Sequence, residues 1–201
     1  MRQLRQEARG LLDDEVLSNG LFEVAARVVT AAPGLSAGLN RVSSHAILPR
    51  ELVAPSYEVF CHRRRVRFRE MEYAVPRAAV GDVVRELAAW HKGTGEPVPF
   101  PVQVRFAPAD DVWLSPARDR DTAYVAVHQY LRMAYRRWFD AAERILVAAD
   151  GRPHWGTMHR RTATDLAGHY PLEDVARVRR AVDPGGVFAN AYSDAVLGAL
   201  T

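Results

Sequence analysis

Stretches with the two-residue period of a β-strand alternate with longer stretches of helical period from residue 66 onward, and this order constrains the fold most. Apolar residues separated by charged ones between Val66 and Val75 predict a half-buried strand that Pro76 closes. The same reading gives strands at 102–106, 112–114 and 123–130, a helix at 78–92 ended by Gly93, and helices at 135–146, 164–168 and 172–181. Strand, helix, three strands and helix indicate an α+β fold, an antiparallel sheet with helices packed on one face.

The first 55 residues form a separate region in this interpretation. Apolar residues at three- and four-residue spacing over 11–32 predict a helix, with a break near Asn19-Gly20 and an end at Pro33-Gly34. Residues 35–55 are interpreted as short helix and loop. We therefore divide the 201 residues into a helical N-terminal extension, 1–55, and one domain, 56–201.

Several classes of protein are disfavoured. The chain has no run of roughly 18–20 apolar residues and no apolar signal core at its N-terminus, so we expect a cytoplasmic protein and leave peripheral membrane association open. Its single cysteine, Cys61, forms no internal disulfide and builds no thiolate metal site by itself. The seven histidines show no zinc spacing, so we expect no metal.

The basic residues are almost all arginines, because Lys92 is the only lysine, and the net charge is +3. A run of arginines over 63–69 is compatible with a nucleic-acid or other interaction module. Apolar residues interrupt the run, and Glu70 and Glu72 oppose it, which is more typical of a solvated face. We therefore expect no nucleic-acid partner.

Two groups of residues could carry chemistry. Gln103 and Arg105 alternate on one predicted strand, so they share a face, and with His128 they could hold a polyhydroxylated or carbonyl ligand. An arginine on a sheet is nevertheless more often exposed or ion-paired. Residues 152–156 constrain the backbone around a histidine and a tryptophan, which suits either a planar ligand or a buried loop. No G-x-G-x-x-G follows a strand, and there is no G-x-x-x-x-G-K loop.

Six segments, in this order and spacing, resemble the sugar-lactone oxidase family of vanillyl-alcohol-oxidase-type flavoproteins, which includes D-arabinono-1,4-lactone, L-gulono-1,4-lactone and alditol oxidases. They are RVRFREMEYAVP (65–76), PVQVRF (101–106), DDVWLSPARDRDTAYVAVHQY (110–130), GRPHWGTMH (151–159), YP (170–171) and DPGGVFANAY (183–192). The resemblance implies a cap, or substrate-binding, domain that covers a flavin held by another domain. It also implies oxidation of a lactone or polyol through FAD.

The family's flavin domain normally precedes the cap, and no flavin-binding glycines or flavin-linking histidine precede it here. We therefore expect the FAD-binding domain to be absent, FAD not to be bound by this chain alone, and a separately encoded FAD-binding domain or subunit to be the partner. The alternative is a flavin-free, repurposed cap that performs cofactor-independent acid–base chemistry or binds a small molecule. A homo-oligomer is left open.

The resemblance also assigns candidate residues. Arg105 matches the family arginine that contacts substrate and flavin, whereas Gln103 stands where the family usually has glutamate, and Thr157 where it has lysine. Lys92 lies on a predicted helix elsewhere and is not expected to replace that lysine. The catalytic candidates are Arg105, Gln103 and His128. The candidates for facing substrate or flavin are His154, Trp155, Thr157, Asn190 and Tyr192.

Overall fold

The computed structural model describes residues 19–35, 38, 55 and 66–199. The α-helices in this part of the chain are α1 (Asn19–Ala31), α2 (Val80–Thr94), α3 (Arg136–Ala148), α4 (Ala163–Leu166), α5 (Leu172–Val182) and α6 (Ala191–Leu197). The strands are β1 (Phe68–Pro76), β2 (Gln103–Ala107), β3 (Thr122–Tyr130) and β4 (Arg152–Pro153). Short 3₁₀ helices cover Pro33–Leu35 and Arg77–Ala79.

The strands form one antiparallel sheet in the order β2-β3-β1-β4. Strand β2 pairs antiparallel with β3, with Gln103 opposite Ala126 and Arg105 opposite Tyr124. Strand β4 pairs antiparallel with β1 over two residues, with Tyr73 opposite Pro153. This sheet with its helices confirms the α+β fold predicted from the sequence.

Two long helices belong to the layer beside strand β1. The Tyr73 hydroxyl on β1 donates to Oε1 of Glu143 on α3 at 2.6 Å, so α3 lies on the Tyr73 face of the sheet. Trp90 of α2 stacks on Trp138 of α3 with ring centroids 5.3 Å apart, so the two helices are neighbours. Side chains alternate along a strand, and Glu72 therefore belongs to the opposite face of β1.

By its internal contacts the chain divides into two compact units. The first comprises residues 1–69, 94–101 and 128–137. Its described core is formed by one face of α1 together with the end of β3 and the turn that follows. The buried residues of this core are Ala26, Val29, Val66, Tyr130 and Met133, and the Phe100 ring packs against them.

The second unit comprises residues 70–93, 102–127 and 138–201. The apolar faces of α2 and α3 bury Val83, Leu87, Phe139 and Leu146 in its core. A further buried cluster joins Leu166 of α4, Tyr170 between α4 and α5, and Val196 of α6, with Leu114 and Trp155 packed against it. The second unit holds most of the sheet and most of the candidate site.

The predicted elements at 66–75, 102–106, 123–130 and 135–146 are confirmed, each within two residues at either end. The helices near 164–168 and 172–181 are also found, as α4 and α5. The N-terminal helix is confirmed over Asn19–Ala31, and its predicted start at residue 11 lies outside the described residues. Most of the segment interpreted as helix and loop, 35–55, lies outside them as well.

Other predictions were wrong. Residues 112–114 form a turn, because Asp110 accepts hydrogen bonds from the Val112 N–H at 3.1 Å and the Ser115 hydroxyl at 2.5 Å. The helix predicted at 78–92 is confirmed as α2, and only its predicted end at Gly93 was wrong, because α2 continues to Thr94 and stops before Gly95, whose φ is +63°. Helix α6 and the short strand β4 were not anticipated.

Candidate functional site

Strand β2 presents Gln103 and Arg105 on an exposed edge of the sheet. Both residues are exposed, and β2 lies at the end of the strand order. Directly opposed residues in an antiparallel pair point to the same face, so Tyr124, which stands opposite Arg105, shares its face. Arg105 is thus accessible, and Tyr124 is its neighbour, with the guanidinium carbon 6.0 Å from the ring centroid.

Glu72 holds the Arg105 side chain in place. The guanidinium donates to Oε2 of Glu72, whose side chain is 2% exposed, whereas that of Arg105 is 63% exposed. The other carboxylate oxygen, Oε1, is buried and has no hydrogen-bond partner among the described residues. A buried carboxylate therefore fixes one side of the guanidinium and leaves the other side open.

Sequence reasoning did not select Glu72 as a site residue. It was interpreted as one of two acids opposing the arginine run, and it pairs instead with an arginine 33 residues away on another strand. The available signal was its position, because an acidic side chain in the middle of an otherwise buried strand needs a cationic or hydrogen-bonding partner.

Tyr124 remains protonated beside this ion pair. Burial raises the pKa of its phenol above the ordinary value, the negative charges of Asp110 and Glu72 add to that rise, and the positive charge of Arg105 opposes it. The phenol can therefore donate a hydrogen bond at neutral pH and is a poor base.

The loop after β4 is bonded to the main chain of Glu72. The His154 N–H donates to the Glu72 carbonyl at 2.9 Å, and the Glu72 N–H donates to the Thr157 hydroxyl at 3.1 Å. The Thr157 hydroxyl in turn donates to the His154 carbonyl at 3.3 Å. Arg105, His154 and Thr157 are therefore brought together around one residue, Glu72.

Two ring side chains in this loop, those of His154 and Trp155, make hydrogen bonds within the protein. His154 Nδ1 accepts the Gly156 N–H at 3.1 Å, which makes Nδ1 an acceptor. The Trp155 indole donates to the Leu114 carbonyl at 2.7 Å, and its ring lies 5.0 Å from that of Tyr170. Trp155 is half-buried and held by contacts within the protein. Whether this segment meets a planar ligand stays a prediction.

Asn190 and Tyr192 also have partners within the second unit. Asn190 caps helix α6, because its side-chain oxygen accepts the Tyr192 and Ser193 N–H groups at 3.0 Å. The Tyr192 hydroxyl donates to the Trp155 carbonyl at 2.7 Å and lies 2.9 Å from His159 Nε2. Burial lowers the pKa of His159 below its ordinary value. Contact of Asn190 and Tyr192 with substrate or flavin stays a prediction.

His128 belongs to the first unit. Its side chain is buried, with its ring centroid 5.2 Å from that of Phe68 and 5.7 Å from that of Phe100. An imidazole between aromatic rings is well oriented, and its assignment as a catalytic residue stays a prediction.

No set of three or more described His, Cys, Asp or Glu residues is arranged to hold a metal ion. Within the same residues, no helix combines the length and the apolar character needed to cross a bilayer.

Comparison with known proteins gives concordant matches. Residues 2–196 match the family model described as D-arabinono-1,4-lactone oxidase. An L-gulono-1,4-lactone dehydrogenase of Mycobacterium tuberculosis is 38% identical over 185 residues, which cover 92% of this chain and 43% of that protein. An L-gulonolactone oxidase of Bos taurus is 31% identical over 88% of this chain and 42% of the relative.

An alditol oxidase of a Streptomyces species is 34% identical over 131 residues, covering 61% of this chain and 30% of the relative. The chain thus spans less than half the length of the curated relatives that it matches.

Proposed function

Because the chain belongs to the D-arabinono-1,4-lactone oxidase family, we propose that it is the substrate-binding domain of an oxidoreductase acting on a CH–OH group of a sugar lactone or polyol. FAD is supplied by a separate domain or chain. The observation that carries this proposal is the exposed guanidinium of Arg105, held from behind by the buried Glu72 carboxylate.

Arg105 has the chemistry that such a substrate needs. Its free N–H groups can donate to a substrate carbonyl or hydroxyl oxygen and stabilise negative charge that develops there. Gln103, two residues away on the same face, can hold a substrate hydroxyl through its amide but cannot take up the hydroxyl proton. Binding and orientation are therefore the functions that these two side chains support.

The same guanidinium fits contact with a flavin ring. FAD, when bound, supplies the oxidising equivalent, and an exposed arginine can donate to a ring carbonyl. These residues would contact the ring, and they do not form a cradle for the whole cofactor.

Binding of L-gulono-1,4-lactone to the full chain, followed by ¹⁵N–¹H NMR, tests this function. We expect shifts at Arg105 and Gln103 that are lost in Arg105→Ala and kept in Arg137→Ala. Arg137 is a matched control, because its side chain is also 63% exposed and donates to a mostly buried glutamate, Glu96, at 3.0 Å. Absence of binding by the lactone and by a polyol, with and without FAD, would overturn the proposal.

A visible absorption spectrum of the same purified chain tests the origin of the flavin. We expect no bound flavin, and no flavin binding when FAD is added to the chain alone. Tight FAD binding by this chain would contradict the requirement for a separate flavin domain.

A flavin-free binding domain is the second candidate. The observation that favours this second function concerns Thr157. Its hydroxyl accepts the Glu72 N–H and donates to the His154 carbonyl, so both its hydrogen-bonding roles are used within the loop. If lactone binding at Arg105 is unchanged when flavin is present and no hydride is transferred, this second function is supported over the first.

A further inference from the structure

The Glu72–Arg105 ion pair reaches across the sheet. Strand β3 lies between β1 and β2, so Arg105 must pass over β3 to meet Glu72, and Tyr124 stands opposite Arg105 on that intervening strand. The three side chains therefore form a row over three strands, with the carboxylate at the buried end and the guanidinium at the open end.

The buried end of this row carries a fixed negative charge. Among the described ion pairs, Glu72 is the most buried acidic partner, with 2% exposure against 11% for Glu96 and 83% for Asp82. Its Oε1 has no hydrogen-bond partner among the described residues, so only one of its oxygens is compensated. Water cannot screen this charge from a ligand at Arg105 as it screens an exposed carboxylate.

A second acid, Asp110, also acts on Tyr124. Burial raises the pKa of Tyr124, and the negative charges of Asp110 and Glu72 add to that rise. Hydrogen bonds from the Val112 N–H and the Ser115 hydroxyl fix the Asp110 side chain.

We propose that Glu72, buried behind the exposed Arg105 guanidinium, makes this site select uncharged oxygen ligands over carboxylates. This inference rests on the proposed function and deepens it. A lactone carbonyl or a polyol hydroxyl accepts from the open side of Arg105 without repulsion. A carboxylate, such as the hydroxy acid that forms when a lactone ring hydrolyses, meets the same donors and is also repelled by Glu72.

The test measures the affinities of the full chain for L-gulono-1,4-lactone, its hydroxy acid and acetate, by calorimetry and by the guanidinium NMR signals of Arg105. The wild type should prefer the lactone and show no acetate-dependent shift at Arg105. Glu72→Gln keeps the shape and removes the charge, so it should strengthen hydroxy-acid and acetate binding on the order of tenfold and change lactone binding less than about threefold.

Two control variants separate the effect of the Glu72 charge on ligand preference from general effects of removing a carboxylate. Glu96→Gln removes the matched carboxylate beside Arg137 and should leave acetate binding at Arg105 unchanged. Glu72→Gln combined with Arg105→Gln should lose the gained acetate binding, because the cation that attracts acetate is gone. A merely structural role for Glu72 would not reverse the preference between neutral and anionic ligands.

The inference is overturned if the wild type binds the hydroxy acid as tightly as the lactone. It is also overturned if Glu72→Gln leaves acetate binding at Arg105 unchanged. If the wild type binds neither sugar ligand, the proposed function fails, and the acetate measurements still decide the role of Glu72. If Glu72→Gln does not fold, an acetate-dependent shift at Arg105 of the wild type contradicts the inference, and its absence supports it.

Discussion

At the scale of single residues, two buried tyrosine hydroxyls of the second unit differ, because one makes a hydrogen bond and the other makes none among the described residues. Tyr73 is fully buried and donates to Glu143, whose same oxygen also accepts the Arg160 N–H at 2.7 Å. Tyr170 is 4% exposed, and its buried hydroxyl has no hydrogen-bond partner among the described residues. Removing a buried hydroxyl that makes a hydrogen bond lowers stability, whereas removing a buried hydroxyl that makes none can leave stability unchanged or raise it.

Tyr73→Phe should lower the free energy of unfolding by about 1–3 kcal/mol, because it removes a donor from a buried carboxylate. Tyr170→Phe should leave it nearly unchanged or raise it slightly, since no hydrogen bond is lost. Urea unfolding at pH 7 measures both. Equal losses in the two variants would contradict the hydrogen-bond assignment.

Tyr73 also predicts that the folded protein loses stability at alkaline pH. Burial, followed by the hydrogen bond to Glu143, raises the pKa of Tyr73 above its ordinary value of 10.0. The unfolded chain therefore loses this proton above pH 10 while the folded chain keeps it, so stability is fully present below pH 10 and decreases as the pH rises further. Unfolding followed from pH 8 upward should show a smaller alkaline loss in Tyr73→Phe than in the wild type.

Asn190 is expected to act through helix α6. Because its side chain accepts two N–H groups of the first turn, Asn190→Ala should destabilise α6 by about 0.5–2 kcal/mol, and Asn190→Ser should largely preserve it. Amide hydrogen exchange of residues 191–197 measures this directly. If Asn190→Ala changes lactone binding without changing exchange, the residue faces the ligand as the family resemblance implies.

At the scale of secondary-structure elements, the close approach of the α3 C-terminus to β4 depends on Gly151. A Cβ atom on Gly151 would lie 2.4 Å from the Leu146 carbonyl oxygen and 3.1 Å from Cδ1 of Tyr73. The turn after α3 is therefore built for a residue without a side chain, as the Gly151 N–H donates to that same Leu146 carbonyl at 2.9 Å.

Gly151→Ala should accordingly lower stability by about 1–3 kcal/mol, because backbone rather than a flexible side chain must move. Gly168→Ala is the control: nothing lies within 4 Å of its Cβ position, and we expect a change within about 0.5 kcal/mol. Thermal unfolding compares the two. A Gly151→Ala protein as stable as the wild type would show that the turn relaxes freely.

The long helices and strands could be predicted because the apolar pattern that specifies each element lies within its own residues. The apolar periodicities that define α3 and β3 are continuous over 13 and 9 residues. The wrong strand at 112–114 carried apolar residues in a turn set by hydrogen bonds that the Asp110 carboxylate accepts, which periodicity does not detect. The short strand β4 has only two residues, too few for any period.

The candidate site likewise has one feature that a local pattern predicts and others that depend on the order of the strands. The shared face of Gln103 and Arg105 follows from strand alternation, and the structure retains it. The partnership of Arg105 with Glu72 could not be predicted from spacing, because it depends on the order of strands in the sheet. The engagement of Thr157 with the Glu72 main chain depends likewise on where β4 pairs.

At the scale of the whole molecule, several of the arginines in the part of the chain that the structure describes are engaged with the protein itself. Arg69 donates to the Leu131 carbonyl at 2.6 Å and its guanidinium lies 4.5 Å from the centre of the Tyr135 ring. Arg120 and Arg152 donate to main-chain carbonyls in the second unit. Part of the hydrogen-bonding capacity of these three guanidinium groups is therefore used within the protein and is not offered to a polyanion.

We predict that the chain does not bind DNA or RNA in a salt-dependent manner. Phosphate contacts would release counterions and give an affinity that falls steeply with salt. Fluorescence anisotropy with a labelled duplex and a labelled single strand, from about 50 to 200 mM salt, measures this. A steep negative slope would support the interaction-module hypothesis instead.

The position of Arg105 in β2 also bears on self-association. Among the described strands β2 lies at an edge of the sheet, and a sheet edge can pair with a further strand. Strand β2 is five residues long with Arg105 at its centre. If two copies joined through this edge as antiparallel partners in full register, each Arg105 would face its own counterpart, and like charges directly opposed disfavour that pairing. Arg105 thereby disfavours pairing of this edge with a second molecule, so replacing it for binding studies should make the chain more prone to aggregate.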